Sequence, residues 1–231
     1  TTTAQTANKI LIIARTQDLA DCKKPTDGLT LFFTDLNRDR IEVRLIDKMG
    51  RKAIDSNALF IDDLIVPVAD RIGEEGDGWK CLLHGLNPER ILIAAEAVGL
   101  GQAALEKASQ YARERVVFDR TIGKNQGIQH PLAENWMELE AAQLMVFKAA
   151  SLYDRGLPCG AEANAAKYLA AQAAFTACER AVLTHGGMGY AKEYHVERYL
   201  REIMIPVIAP ISQELIKSFI AEQVLGQEKS Y

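Results

Sequence analysis

Three glycines within four residues, in Gly186-Gly187-Met188-Gly189-Tyr190, offer bare backbone N–H groups that can approach a phosphate closely. The run follows a long helical pattern, so a helix C-cap with no chemistry is the plainer reading. His185, directly before it, reads as a helix-end histidine rather than a base. Asn87-Pro88-Glu89-Arg90 is the second cluster, and it has two readings. In the first, Asn87 is an N-cap, Pro88 sits at the first helical position, and Glu89 complements the positive helix end. In the second, the helix begins near Gly78, Pro88 merely kinks it, and Glu89 faces the interior of a bundle. Spacing alone favours the first. Glu96 lies seven residues on, hence on the same face but about 10.5 Å along the axis, and reads as structural. Cys22, Cys81, Cys159 and Cys178 are scattered with no CxxC spacing and no paired histidines nearby, so we expect reduced thiols and no metal site.

These residues must be carried by two kinds of element. Lys9–Arg15, Leu29–Asp35, Ile41–Ile46 and Ala58–Val66 are short runs rich in branched residues, separated by turn-formers, and predict an antiparallel sheet folded on itself. From Gly78 the pattern turns helical. Ile91, Ala94, Ala95, Val98, Ala103, Leu105 and Ala108 recur at three- and four-residue intervals, predicting a helix to about Arg115. Further helices are expected over Pro131–Tyr153, Ala161–Thr184, about His195–Glu202 and Ser212–Leu225. Ten alanines among residues 161–181 would let neighbouring helices approach closely. The expected fold is α+β: a small antiparallel β-barrel-like domain over 1–75, then an up-and-down all-α helix bundle over 76–231.

The 231 residues, 48% apolar and 25% charged, suit one large domain or two small ones and exclude a disordered or fibrous chain. A net charge of −4 gives no reason to expect nucleic acid or an anionic membrane as partner. The longest apolar run, Ile203–Ile211, has nine residues and holds Pro206 and Pro210, where a membrane span needs about twenty. The chain opens on Thr1-Thr2-Thr3, so its true N-terminus is expected further upstream.

Taken together, Thr1–Asn8, Asn87–Gly99, Glu114-Arg115-Val116-Val117-Phe118, Asn125-Gln126, His185–Tyr190 and Arg201–Gln213 resemble the acyl-CoA dehydrogenases in order and spacing. The resemblance covers essentially the whole chain, as that family's middle β domain, incomplete at its start, and its C-terminal helical domain. The family's N-terminal helical domain is not part of the match. The resemblance implies a flavoprotein that desaturates an acyl-CoA thioester between its α and β carbons, in fatty acid metabolism. A carboxylate would take the α-proton while the β-hydrogen leaves as hydride to N5 of FAD. It further implies electron-transfer flavoprotein as acceptor, a homotetramer built as a dimer of dimers, and a cytoplasmic location, or the mitochondrial matrix in a eukaryote. A flavin-free paralogue serving as an assembly module, and an acyl-CoA oxidase of the same superfamily, are the rival readings.

Carried over residue by residue, Thr2 resembles the hydroxyl that bonds the flavin ring edge. Arg115, Phe118 and Gln126 resemble residues that hold the diphosphate and adenosine portion. Gly186 and Gly187 match glycines that approach the cofactor, and Ser212 and Gln213 match two positions of a further FAD-contacting triplet. Three residues depart from the family pattern: Ile211 brings no hydroxyl to that triplet, Asp119 replaces the usual glycine after Phe118, and Ala209 stands where many members carry the catalytic glutamate. A minority place the base on the first long helix instead, at the position of Glu89. The resemblance thus implies Glu89 as base, in an apolar pocket, with Asn87 and Arg90 touching the CoA-bearing substrate or shaping its pocket.

Overall fold

The computed structural model describes residues 1–230, which form two compact units, one ending at Leu86 and the other starting at Asn87. In the first unit the branched runs form β1 (Lys9–Arg15), β2 (Leu29–Asp35), β3 (Ile41–Leu45), β4 (Asn57–Ile61) and β5 (Arg71–Ile72). Every pairing is antiparallel, but the strands make two sheets, β1-β2-β5 and β3-β4, rather than one continuous sheet. The register of β1 on β2 sets Ile10 opposite Thr34, turning Ile10 toward Ala4, Leu36 and Ile41 in a small core. Beneath β2, Thr34 Oγ1 donates to Asp70 at 2.7 Å and Thr30 Oγ1 accepts from the Gly76 amide at 2.9 Å. The threonine side chains of β2 therefore anchor the stretch that leads into the long helix.

The helices are α1 (Gly78–Glu114), α2 (Gln126–Asp154), α3 (Gly160–His185), α4 (Val196–Ile208) and α5 (Gln213–Gln223), with a hairpin, β6 (Val116–Val117) and β7 (Arg120–Thr121), after α1. Two of these boundaries, those of α2 and α4, differ from the sequence reading, each at a proline. Helix α1 starts at Gly78, where the sequence pattern turns helical, and runs through Pro88, so Asn87 is not an N-cap. Helix α2 begins five residues before Pro131, and α4 runs through Pro206 to Ile208. A proline inside a helix leaves one carbonyl four residues back without its amide partner. At Pro88 that carbonyl belongs to exposed His84, where water can satisfy it.

The second unit is built on α3. Ala163, Ala166, Ala170, Ala174, Ala177 and Ala181 are almost completely buried and repeat at three- and four-residue spacing. They pack with Ala94, Val98, Leu105 and Ala108 of α1 and with Leu139, Ala142 and Val146 of α2. The approach is closest at Gly101, where a Cβ would lie 2.7 Å from Leu139 Cδ2 and 2.9 Å from the Ala174 Cα. The segment Val196–Gln223 is apolar enough to cross a membrane and 28 residues long, yet it is two helices of 13 and 11 residues broken at 209–212. Neither reaches the roughly twenty residues a span requires.

The packing predicts opposite results at two glycines of one helix. Gly101→Ala forces backbone apart and should destabilise by about 1–2 kcal/mol despite alanine's better helix propensity. Gly99→Ala, with nothing within 4 Å of the new Cβ, should stabilise by about 0.5–1 kcal/mol. Urea unfolding midpoints check both.

Candidate functional site

Two contacts set how α1 and α3 lie together. Gly101 faces Ala174, and ten residues on Tyr111 stacks on His185 with ring centroids 4.2 Å apart. The helices therefore run parallel, and a site on α1 is level with the α3 residue about 73 positions later. This register sorts the candidate residues of the second unit into two groups.

The first group lies near the start of this unit. Asn87 and Arg90 bond each other, Nη1 to Oδ1 at 2.9 Å, so the amide oxygen an N-cap would have used is already taken. Burial pushes the Arg90 guanidinium below its usual value, while the neighbouring charge of Glu89 holds it up, and its buried Nε has no protein partner. Glu89 itself is exposed. The expectation of an interior-facing carboxylate is corrected here: one residue is about 100° of helix, so Arg90 turns inward and Glu89 turns out. Further along the same unit, held by Lys167 and Gln172 of α3, lies the break between α4 and α5. The Ile211 carbonyl is held by Lys167 of α3 at 2.7 Å, and Gln213 Oε1 accepts from Gln172 Nε2 at 2.7 Å. Ser212 caps α5, its Oγ accepting from the Leu215 amide at 3.3 Å, which leaves its O–H donor for another partner. Gln213 Nε2 is buried and without a partner. Ala209, half-exposed in extended backbone, offers no proton acceptor here.

The second group lies at the far end of the bundle, where α1 and α3 end. Arg115 follows the last residue of α1, 26 residues from Glu89, or about 39 Å at 1.5 Å each. Its carbonyl accepts from the Ile122 amide at 2.9 Å, closing the β6–β7 hairpin, and Arg120 Nη2 reaches Asn125 Oδ1 at 2.5 Å just before Gln126 opens α2. Phe118 and Asp119 form the two-residue hairpin turn with φ of 52° and 60°, so the turn closes without the family's glycine. Phe118 is 93% exposed, and Arg115 and Gln126 are exposed too.

The glycine run sits at the same end, and its members do different things. Gly186, at φ 59° and ψ −134°, ends α3 in a conformation closed to other residues. Gly189 is buried, and a Cβ there would overlap the Val182 carbonyl. Gly187 is exposed with nothing within 4 Å of where its Cβ would be, so the fold has no need of glycine there. A bare backbone at that point leaves room for a flat or phosphate-bearing ligand to approach closely. His185 is buried, its ring donating to the Ala181 carbonyl at 2.8 Å and packed by Tyr111 and Tyr194; burial lowers its pKa. It supports the glycine run and is not a base. In the first unit, Thr2 is exposed and bridges Ser56 by backbone pairing.

The residues leave places for parts of an FAD in both groups: the orphaned Gln213 Nε2 in the first, and the open Gly187 with the exposed aromatic and cation of the Arg115–Phe118 hairpin in the second. Lys167 was missed by sequence reasoning, although a lysine in the middle of an alanine-rich helix face was the available signal. Gly189→Ala should destabilise by about 2 kcal/mol or more, whereas Gly187→Ala should stay within about 0.5 kcal/mol of wild type. Denaturant titration separates the two, and leaves Gly187→Ala as a probe of ligand approach alone.

Comparison with known proteins gives the family. Residues 76–225 match the family model described as the C-terminal domain of acyl-CoA dehydrogenase. The acyl-CoA dehydrogenase FadE12 of Mycobacterium tuberculosis is 38% identical over 234 residues, covering 97% of this chain and 58% of its own length. The structure of butyryl-CoA dehydrogenase from Megasphaera elsdenii superposes with a TM-score of 0.90 at 32% identity, over 97% of this chain and 58% of that one. A chain from work on the electron transferring flavoprotein of Acidaminococcus fermentans gives 0.91 at 30% identity, over 98% and 59%. The chain thus spans a little over half the length of the relatives it matches. With the family model matched over most of the chain, and with the glycine run, the hairpin and the Ser212-Gln213 cap in the places described above, the chain belongs to the acyl-CoA dehydrogenase family.

Proposed function

We propose that the chain takes part in FAD-dependent α,β-dehydrogenation of an acyl-CoA thioester to the trans-2-enoyl-CoA, with Glu89 as the base that removes the α-proton. The observation that carries this reading is the position of Glu89. It is an exposed carboxylate on α1 near the start of the helical unit, while the other family position for a base is Ala209, which has no proton acceptor. When bound, FAD would supply the acceptor for the β-hydrogen as hydride at N5. The chain's own task is to hold the thioester so that the α C–H bond points at a Glu89 oxygen within hydrogen-bonding reach. The Asn87–Arg90 pair, rigid and half-buried beside the base, suits the polar part of the CoA-bearing substrate. Electron-transfer flavoprotein is the acceptor that the likeness to the Acidaminococcus chain supports.

Glu89→Gln keeps volume and removes only the proton acceptor. Acyl-CoA-dependent bleaching of the flavin should slow by about 10²–10⁴-fold while flavin stays bound. Near-normal bleaching in that variant overturns the assignment.

The two-group geometry also supports a cofactor shared between subunits. Arg115, Phe118, Gln126, Gly186 and Gly187 lie at the end of the bundle about 39 Å from Glu89, too far to grip the same FAD comfortably. In a symmetric dimer each subunit gives this group to its partner's site and receives one in return. Mixing an Arg115→Ala chain with a Glu89→Gln chain then creates one intact site in each mixed dimer. After random exchange at equal amounts, activity should return to about a quarter of wild type. If exchange is demonstrated and no activity returns, the shared site is wrong.

A further inference from the structure

Lys167 is the largest fully buried side chain of the second unit, with no exposed surface at all. A lysine in such a place is costly, because its ammonium has left water. Burial lowers its pKa, and the charge of Glu214 only partly offsets this. Helix α3 is otherwise closed by alanines, so a Met or Leu would serve the packing at least as well. What the ammonium does is specific. It donates to the Ile211 carbonyl at 2.7 Å and to the Val207 carbonyl at 3.3 Å, both on the segment that breaks α4 from α5. Five residues further along α3, Gln172 holds Gln213 through the bond described above. Helix α3 thus grips one short segment at two points, on either side of Ser212.

We propose that Lys167 is a positioning residue for the segment Ile211–Gln213, fixing the Ile211 carbonyl so that the donors of Ser212 and Gln213 are aimed at the flavin. This rests on the functional reading above. Ser212 and Gln213 are tied into the start of α5, and the Lys167 ammonium is what holds the carbonyl of the residue before them. The second carbonyl, Val207, belongs to the last turn of α4, where a cation complements the exposed carbonyl end of the helix. One ammonium therefore joins the end of one helix to the lead-in of the next. Deleting it frees two carbonyls and the residues between them. Ser212 and Gln213 keep their bonds to Leu215 and Gln172 but lose the anchor on their N-terminal side.

Lys167→Met removes the ammonium and keeps the length of the chain. The test measures FAD affinity of the apoprotein by fluorescence titration, the visible spectrum of bound flavin, and the urea midpoint. Gly101→Ala, a packing variant outside the site, serves as the stability control. Lys167→Met should weaken FAD by about tenfold and shift the flavin band, beyond anything seen in a control of equal or greater instability. In the Gln213→Ala background the same substitution should cost much less, because its effect passes through that side chain. Gln172→Met, which removes the second grip at a partly exposed position, should show a smaller loss in the same direction and covers the case that Lys167→Met fails to fold. Equal FAD affinity in Lys167→Met and the control, full additivity with Gln213→Ala, or an unchanged Gln172→Met where Lys167→Met does not fold each overturns the proposal. Failure of the wild-type chain to bind FAD overturns the functional reading instead, so the two outcomes stay distinct.

Discussion

Helices α1 and α3 touch backbone to backbone because Gly101 has no side chain and Ala174 has almost none. At that distance neither helix can slide without driving Leu139 or a main-chain atom into its neighbour, so the register is fixed. The rest of the second unit follows from it. Ten residues toward the C-terminal ends, the same register brings Tyr111 onto His185 and sets the hairpin beside the glycine run. Toward the other ends it sets the height at which Lys167 and Gln172 hold Ile211–Gln213, level with α1 residues 94–99. A chain with bulkier residues along this seam would still form helices, but the two groups would lose their alignment.

The separation of these groups is a property of helix length, and length is decided by what prolines fail to do. Pro88, Pro131 and Pro206 all lie inside helices. Each reads from sequence as a boundary, since proline favours the first helical turn and disfavours the interior. Here the flanking apolar positions are packed well enough to outweigh one missing hydrogen bond, and the freed carbonyl at Pro88 faces water. If α1 had begun at Asn87, Glu89 would sit on the positive end of a helix. Instead it lies in the twelfth position, where that field has faded.

The change from strands to helices, the five helices and the alanine-rich centre were legible because period and composition act locally. The roles within Gly186–Tyr190 were not, since spacing cannot say which glycine serves φ, which serves packing and which serves neither. Only the contacts of Val182 and the open space at Gly187 separate them. The direction of Glu89 was missed for a related reason. A helical period shows which residues share a face, but Pro88 hid where the helix began. Lys167 was hidden by chemistry, because a lysine is assumed to reach water and its two carbonyl partners lie 40 and 44 residues away.

The hairpin after α1 shows what such a partition leaves over. Phe118 and Asp119 both occupy the left-handed region. Asp tolerates it through local hydrogen bonding, but a phenylalanine there is strained at a cost of about 1 kcal/mol or more. The turn holds because the hairpin is tied on both sides, by the Arg115 carbonyl to Ile122 and by Arg120 to Asn125. Its aromatic ring meanwhile packs on nothing in the chain's own second unit and stays 93% exposed. Strain that delivers no internal contact is not explained by folding. Under the shared-site proposal above, the ring and the Arg115 cation beside it would have to project beyond the bundle rather than pack against it, which is how both are placed.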